Sequence, residues 1–418
     1  MPRVTLLHYT TPPVVGGVEG VVARHAQLLA AAGLEVQVLT GRGGPIGRGV
    51  RLHRLPLLDS RHRRVIAVTR ELEAGRVTGA FEALVSEIEA NLRGALAGCE
   101  VCVVHNALTL HKNLALTAAL HRLATRRLPA RLVAWCHDLA WTNPQYTVDL
   151  HPGAPWSLLR TAIPGGTYVT VSRDRQRDLG VLLGKPEADI NVIPNGVDPA
   201  AFLRLTPTGR WLAATLRLWE QQVVLLLPVR ITRRKRIEYA LHVVAEMVRR
   251  EMAVRLLVSG PLGAHNPRNR GYLEELRTLR AGLGLDEQVV FCSDLSGRDG
   301  RRLRLSDRTM TDLYLLADAL LLPSRQEGFG LPLLEAGLAR LPAWTTALPP
   351  LREIGGDTIH TFDPEEPPAG VALRLLHALM EEEGYRLRRR VLTSYSWEGI
   401  MRERIIPLLN RLVAVGRP

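Results

Sequence analysis

Short apolar segments of strand length alternate with helical patterns along the whole chain, and the alternation starts again in the second half. In the first half, strands are predicted at residues 4–9, 36–39, 101–104, 132–136, 168–171 and 191–193. In the second half, they are predicted at residues 223–227, 254–258, 289–292 and 319–322. Strands separated by helices in this way favour a parallel sheet with helices on its faces. The expected fold class is therefore α/β.

The length of the chain and its turn residues indicate how it divides into domains. At 418 residues it exceeds the size of one ordinary hydrophobic core, so two domains are expected. Turn-forming residues cluster at 195–199 and 206–209, between the two series of strands. We predict an N-terminal domain over residues 1–205, a second domain over 206–395 and a C-terminal helix over 396–418.

The most specific motif lies in residues 325–335, between the strand at 319–322 and a helical pattern. Residues 328–332 are predicted to form the turn from strand to helix. Backbone amides at the start of a helix lack partners and the helix dipole is positive there, so the turn can bind an anion. Glu327 precedes the turn, and Glu335 is expected about two turns into the helix. Both carboxylates can accept hydrogen bonds from the hydroxyl groups of a sugar or ribose.

Two cations, Arg230 and Lys235, follow the first strand of the second half. Lys235 is notable because only three of the 54 basic residues are lysine. A compact ammonium approaches a diphosphate differently from a planar guanidinium. A solvated run of charges remains the alternative, since three further arginines crowd the same segment.

In the first half, Gly16 and Gly17 follow the first strand and open a helix, so they form either a phosphate cradle or a simple tight turn. Val15 breaks the dinucleotide-binding pattern, which argues against a dehydrogenase. Further candidates end predicted strands, where parallel sheets bind ligands. These candidates are His105, Asn106, His137, Asp138, Ser259 and Gly260. An isolated histidine is otherwise more often structural.

The sequence from Glu327 to Glu335, directly after a Pro-Ser strand end, resembles the Glu-x7-Glu signature of glycosyltransferase family 4. Arg230 and Lys235 resemble the R-x4-K element of these retaining enzymes. The chain departs from the family at Pro228 and Val229, where glycine is usual. The resemblance covers nearly the whole chain and implies the GT-B fold. In that fold, two Rossmann-like domains face one another across a cleft and a C-terminal helix crosses back to the first domain.

The resemblance also implies an activity and roles for the motif residues. A hexose would move from a nucleoside diphosphate donor, UDP- or GDP-linked, to an acceptor hydroxyl with retention of the α configuration. The implied catalytic residues are His137, Glu327, Arg230 and Lys235. The implied donor-binding residues are Gly16, Gly17, Ser259, Gly260, Gly328, Phe329, Gly330, Leu331 and Glu335. Asp138, His105 and Asn106 are assigned to the acceptor side.

No cofactor and no metal are expected for this reaction. The chain contains no Asp-x-Asp, the motif that usually holds the metal in the other major glycosyltransferase fold. Cys99 and Cys102 have half of a zinc-site spacing, but no second pair follows. We expect the four cysteines to be buried thiols in a reducing compartment.

The net charge of +13 raises two alternatives to a soluble enzyme with a small acceptor. A nucleic-acid-binding protein fits the charge, but the aromatic content is only 5% and the basic clusters lack interleaved aromatics, so no nucleic-acid partner is expected. A catalytically inactive carbohydrate- or nucleotide-binding protein is the other alternative.

Residues 59–78 combine arginines with apolar residues and are predicted to form a mobile loop or short helices. They either rest on an anionic membrane or close over a small anionic acceptor. No signal segment and no apolar stretch of about 18 residues is recognised, so we predict a cytoplasmic protein. Peripheral association with the inner face of the membrane stays open.

Overall fold

The computed structural model describes residues 2–126, 130–263, 268–297 and 300–415. The chain forms two compact units. The first comprises residues 1–196 and 395–418, and the second comprises residues 197–394. Residues 416–418 of the predicted C-terminal helix lie outside the described ranges.

The first unit is built on a parallel sheet. Its strands are β1 Arg3–Thr10, β2 Glu35–Arg42, β3 Val50–Arg54, β4 Val101–His105, β5 Arg131–Cys136, β6 Thr167–Thr170 and β7 Ile190–Val192. They lie in the order β3-β2-β1-β4-β5-β6-β7. The central strands β1, β4 and β5 are almost wholly buried, as expected for parallel strands covered on both faces.

Helices cover both faces of this sheet. They are α1 Gly17–Ala31, α2 Arg63–Glu73, α3 Gly79–Ala95, α4 Leu114–Thr125, α5 Pro144–Thr147 and α6 Arg173–Leu183. The chain returns to this unit at its C-terminal end with α16 Trp397–Ile400, a π-helical turn at Met401–Ile405 and α17 Ile406–Val415. Trp397, Ile400 and Ile405 pack in one core with Val4 and Trp135.

The second unit repeats the architecture with a smaller parallel sheet. Its strands are β8 Val223–Leu227, β9 Val254–Val258, β10 Val289–Phe291, β11 Ala319–Leu322, β12 Ala343–Thr346 and β13 His360–Phe362. They lie in the order β10-β9-β8-β11-β12-β13. Its helices are α7 Pro199–Phe202, α8 Pro207–Thr215, α9 Ile237–Arg249, α10 Arg268–Gly282, α11 Asp307–Leu316, α12 Leu331–Leu338, α13 Pro349–Gly355, α14 Pro368–Glu381 and α15 Glu383–Ser394.

The strand order fixes where each unit binds ligands. In the first sheet the direction of winding reverses between β1 and β4, and in the second it reverses between β8 and β11. The loops that leave the carboxyl ends of two such neighbouring strands diverge, which opens a crevice. The predicted α/β fold with two Rossmann-like sheets is therefore confirmed, and each sheet has one switch point.

For residues 59–78, the structure decides between the two predicted forms, a mobile loop or short helices, in favour of a helix. The segment contains helix α2, whose Val65, Val68 and Leu72 are buried in the core of the first unit. Their spacing of three and four residues places them on one face of a helix. These apolar side chains are therefore not available to a bilayer, and a membrane contact here would depend on the arginines. Among the described residues, no helix is long and apolar enough to span a membrane.

Candidate active site

The second unit contains a cavity of about 1110 Å³ beside the switch point of its sheet. Arg230 from the loop after β8 lines it, as do Ser259 and Gly260 from the end of β9. Leu331 and Glu335 of helix α12 complete this part of the lining. The structure therefore brings together four of the predicted donor-binding residues and Arg230, one of the predicted catalytic residues.

Two glycines beside this cavity occupy positions that disfavour a larger residue. Gly330 has a φ of +112°, a conformation that other residues rarely adopt, and a Cβ atom there would lie 2.5 Å from Leu351 Cδ2. A Cβ atom on Gly260 would lie 1.8 Å from the carbonyl oxygen of Val229. A larger residue at Gly260 would therefore displace the loop after β8.

The turn before α12 presents free backbone donors. The amides of Gly328, Phe329, Gly330 and Leu331 have no hydrogen-bond acceptor within the described part of the chain. The Phe329 side chain is exposed. Amides of this kind at the start of a helix can bind an anion. The structure thus fits the predicted anion site, although Gly328, Phe329 and Gly330 do not line the cavity itself.

Glu335 lies one turn into α12, not two, because the helix starts only at Leu331. The hydroxyl of Tyr314 donates a hydrogen bond to Glu335 Oε2. Burial, together with the neighbouring Glu335 carboxylate, raises the pKa of Tyr314 and keeps its hydroxyl protonated. The tyrosine therefore fixes one oxygen of the carboxylate and leaves the other for a ligand.

Lys235 and Glu327 form an ion pair that the sequence analysis did not anticipate. Lys235 Nζ lies 2.5 and 2.6 Å from the two carboxylate oxygens of Glu327, and both side chains are about nine-tenths buried. Ser324 Oγ donates to Glu327 Oε1 at 2.6 Å, and Arg234 Nη1 lies 3.8 Å from Oε2. The two predicted catalytic residues therefore hold each other in place. Arg230 is exposed and has no ion-pair partner among the described residues.

At the switch point of the first unit, Asn106 organises the loop after β5. Its Oδ1 accepts hydrogen bonds from the backbone amides of His137 (2.8 Å) and Asp138 (3.2 Å). Its Nδ2 donates to Asp138 Oδ2 at 3.2 Å. Asn106 has a φ of +59°, a conformation that asparagine tolerates better than most residues. The fixed loop sets the positions of both neighbouring side chains.

A cluster of buried histidines supports His137. His105 Nδ1 lies 3.2 Å from His137 Nε2, and His8 Nδ1 donates to the carbonyl oxygen of His105 at 3.0 Å. Burial lowers the pKa of His137 to about 4 and that of His25 to about 3, and it also lowers the pKa values of His8 and His105. All four rings are therefore neutral near pH 7.

The expectation that His105 contacts an acceptor needs correction. Its side chain is completely buried, stacks on Trp135 and reaches His137, so in this structure it supports His137. The Nε2 atom of His105 is buried without a partner in the described residues. Because orphaned buried N–H groups are rare, the hydrogen belongs on Nδ1. His105 then donates to His137 Nε2, and the hydrogen of His137 lies on Nδ1.

The glycine loop at Gly16 and Gly17 carries a carboxylate that was not predicted as a site residue. A Cβ atom on Gly16 would lie 2.1 Å from Glu19 Oε2, so the glycine makes room for this side chain. Thr10 Oγ1 donates to Glu19 Oε1 at 2.6 Å, and His8 Nε2 lies 3.9 Å from the same oxygen. An anion of the chain itself therefore occupies this helix N-terminus, which makes it a poor phosphate cradle.

The glycine loop, Glu19, Thr10 and His8 line a second cavity, of about 860 Å³, which lies wholly within the first unit. Of the predicted residues, Gly16, Gly17, Asn106 and Asp138 line it. The lining residues that the sequence analysis did not name include His8, Glu19, Arg42 and Lys112. Arg61 also lines the cavity, and it lies in the segment 59–78, for which closure over a small anionic acceptor was one of two predictions. Two of these residues could have been found from the sequence. Glu19 lies two residues after Gly17, and Lys112 is one of only three lysines.

The four cysteines are buried and unpaired, which confirms the prediction of buried thiols. Within the described ranges, no group of three or more histidine, cysteine or acidic residues is arranged to hold a metal ion.

Comparison with known proteins gives two family matches. The profile of Glycosyltransferase Family 4 matches residues 15–201, and that of Glycosyl transferases group 1 matches residues 214–390. An uncharacterized glycosyltransferase of Methanocaldococcus jannaschii is 26% identical over 262 residues, which are 60% of this chain and 61% of that protein. The chain thus spans about three fifths of the length of this curated relative.

Solved structures with a similar course of the chain include two bacterial proteins. A glycosyltransferase from Rickettsia africae is 15% identical, with a TM-score of 0.40 and 99% of each chain covered. Sucrose-phosphate synthase from Thermosynechococcus elongatus is 18% identical, with a TM-score of 0.39 and 99% and 100% covered. The two family profiles follow one another along most of the chain, one on each parallel sheet. The protein belongs to the group 1, family 4 glycosyltransferases of the GT-B fold.

Proposed function

We propose that the protein is a retaining hexosyltransferase that uses a nucleoside diphosphate sugar, UDP- or GDP-linked, and a hydroxyl acceptor. One observation carries the proposal. Arg230 and Glu335 line the same cavity, next to free amides at the start of α12. A guanidinium and amides suit a diphosphate, and a carboxylate suits vicinal hydroxyl groups.

In this proposal, the donor binds to the second unit. Arg230 and the amides of residues 328–331 bind the diphosphate, and Glu335 accepts hydrogen bonds from the ribose hydroxyls through its free oxygen. Ser259 and Gly260, which line the same cavity, border the base. Glu327 binds the hydroxyls of the donor sugar while it holds Lys235.

The reaction breaks the bond between C1 of the hexose and the oxygen of the β-phosphate, and the electron pair stays on the phosphate. The acceptor oxygen forms the new bond to C1 on the same face, so the configuration is retained. The acceptor proton passes to the departing phosphate oxygen. Cations near this phosphate stabilise the charge that develops there. Arg230 and Lys235 both supply such a charge, and Lys235 also holds Glu327 in position.

His137 is proposed to contact the donor sugar near the reacting carbon. With its hydrogen on Nδ1 and its Nε2 accepting from His105, the neutral ring presents a hydrogen-bond donor. A neutral donor can bind a sugar oxygen without attracting the phosphate away from Arg230 and Lys235. The low pKa of His137 keeps this state unchanged across physiological pH.

We propose a cytoplasmic enzyme with a small soluble acceptor in preference to a lipid-linked one. Val65, Val68 and Leu72 of helix α2 are buried in the core, so they cannot contribute to binding a membrane surface.

A thermal-shift screen against UDP, GDP and ADP and their hexose conjugates tests the donor. A ligand that binds the folded protein at 100 times its dissociation constant stabilises it by about 2.7 kcal/mol. The Glu335→Gln variant should lose most of the shift, while the exposed Glu381→Gln control should keep it. Proton NMR of the glycoside formed then gives its anomeric configuration. An inverted product, or no nucleotide binding at all, would refute the proposal.

A further inference from the structure

The cavity of the first unit has two chemically different groups of side chains. Glu19 and Asp138 contribute carboxylates, and Arg42, Arg61 and Lys112 contribute cations. Its volume of about 860 Å³ is that of a site for a small molecule. A site of this composition can distinguish an anionic ligand from a neutral one.

Two of the three cations are uncompensated. Arg42 Nε lies 2.9 Å from Asp59 Oδ2, so its charge is already balanced. The side chains of Arg61 and Lys112 have no ion-pair partner in the part of the chain that the structure describes. The chain is rich in arginine, so Arg61 alone would carry little weight. The presence of one of the three lysines at the same cavity adds an independent signal.

The backbone positions of Arg61 and Lys112 are tied to the same segment. Lys112 precedes Asn113, whose buried Nδ2 donates to the carbonyl oxygen of Leu57 at 2.9 Å. Two residues after Leu57, Asp59 Oδ1 accepts from the backbone amide of Arg61 at 3.0 Å. The two loops that carry these cations are therefore connected by short hydrogen-bonded links, and both cations line the same cavity.

The carboxylates are also fixed in position. Thr10 holds Glu19, and Asn106 holds Asp138. Carboxylates accept hydrogen bonds from hydroxyl groups and repel anions. An anionic group of a ligand would therefore lie at the cations, and its hydroxyl groups would lie at the carboxylates.

We propose that this cavity selects an acceptor that carries a phosphate or carboxylate group as well as hydroxyl groups. Arg61 and Lys112 bind the anionic group, and Glu19 and Asp138 accept hydrogen bonds from the hydroxyl that is to be glycosylated and its neighbours. The proposal rests on the proposed function, because it describes the second substrate of the same transfer.

The small number of lysines allows a direct test on the intact protein. Reductive methylation with ¹³C formaldehyde preserves the charge and labels only three side chains, with Lys112 assigned from a Lys112→Gln variant. The matched probes are glucose 6-phosphate against glucose, and glycerol 3-phosphate and glycerate against glycerol. We expect the Lys112 signal to shift with the anionic members only, while the Lys185 signal stays fixed.

Variants test whether the second cation takes part. Arg61→Gln should weaken the binding of the anionic probe about 10-fold, as expected for the loss of one charge-assisted hydrogen bond. The matched control is Arg63→Gln, since Arg63 is an exposed neighbour that does not line the cavity. Equal weakening in both variants would indicate a general effect of surface charge and would overturn the proposal.

Vesicles distinguish the two sources of an anionic group. Broadening of the Lys112 signal by phosphatidylglycerol but not phosphatidylcholine vesicles, without a response to the soluble anions, assigns the anion to a lipid headgroup. A response to the soluble anions assigns it to a free acceptor. No response to either, or an equal response to the neutral probes, overturns the proposal. Nucleotide binding is measured separately by thermal shift, so failure of the proposed donor function is distinguishable.

Discussion

The two switch points share one topology, yet the side chains that hold their loops differ in chemical kind. In the first unit, neutral histidines and an asparagine amide fix the loops after β4 and β5. In the second unit, the loops after β8 and β11 are joined by the Lys235–Glu327 ion pair. Parallel strands supply the same crevice in both cases, and the loop residues decide whether its loops are held by neutral groups or by an ion pair.

The largest effect on turnover is expected from Lys235, which belongs to the ion pair of the second unit. Lys235→Ala should lower turnover on the order of 10²-fold, because it removes a cation near the departing phosphate. Arg233→Ala is the matched control, since Arg233 is exposed and pairs with Glu275. Steady-state kinetics with the donor found in the nucleotide screen would measure both variants. Equal and mild effects would show that this part of the chain is a solvated run of charges.

Stability must be separated from catalysis in this experiment. Removing one partner of a buried ion pair can cost about 3–5 kcal/mol of folding free energy. The double variant Lys235→Ala/Glu327→Gln removes both charges, and it should regain stability without regaining turnover. Recovery of turnover together with stability would assign the pair a purely structural role.

The second-largest effect is expected for nucleotide binding, from Glu335, the residue proposed to bind the ribose hydroxyls. Glu335→Gln should weaken nucleotide binding by roughly 1.5–3 kcal/mol, because a charged acceptor of hydroxyl hydrogen bonds becomes a neutral one. Titration calorimetry with the free nucleotide measures the change. Tyr314→Phe should have a smaller effect, since it removes only the group that orients Glu335. An unchanged dissociation constant in Glu335→Gln would remove the residue from the site.

The alternation of strands and helices predicted ten of the thirteen described strands, and it did not indicate β3, β12 or β13. Of the residues in the local motifs, Arg230 and Glu335 line one cavity. The Lys235–Glu327 contact joins residues 92 positions apart, so no local pattern could indicate it. Helix α2 was left open as a mobile loop or short helices, because its many arginines obscured a short apolar stripe. The burial of His105 depends on packing against Trp135, which a sequence does not specify.

The buried histidines of the first unit predict how the stability of the protein depends on pH. Burial lowers the pKa of His25 to about 3, against about 6.5 in the unfolded chain. The unfolded chain therefore binds the extra proton first, and stability is complete above pH 6.5 and falls as the pH decreases towards 3. At pH 5 the contribution of this ring lowers the unfolding free energy by about 2 kcal/mol.

Urea denaturation at pH 8 and pH 5 would measure this loss. His25→Phe removes the titrating group, so the difference in unfolding free energy between the two pH values should shrink by about the same 2 kcal/mol. The absolute stability of the variant does not matter for this comparison. The same pH dependence in the variant and the wild type would show that His25 is not buried in the neutral form.

A smaller effect is expected from His105, which acts through His137. His105→Phe removes the hydrogen bond to His137 Nε2, so the hydrogen of His137 is no longer confined to Nδ1. Turnover should fall up to about 10-fold, the equivalent of one hydrogen bond. Nitrogen-15 chemical shifts of His137 should report a mixture of tautomers. A single unchanged tautomer with reduced turnover would indicate that the substitution acts through packing.

The smallest effect is expected from removing divalent metal ions. The proposed diphosphate site of the second unit contains Arg230, Lys235 and the amides at the start of α12. The chain contains no Asp-x-Asp. Activity should therefore be unchanged by EDTA, whereas Arg230→Ala should reduce it and make it more sensitive to salt, because the remaining compensation is screened. Assays with EDTA, and then with added magnesium or manganese, test this. Loss of activity on chelation with recovery on adding the metal would show that the ion, and not Arg230, compensates the departing phosphate.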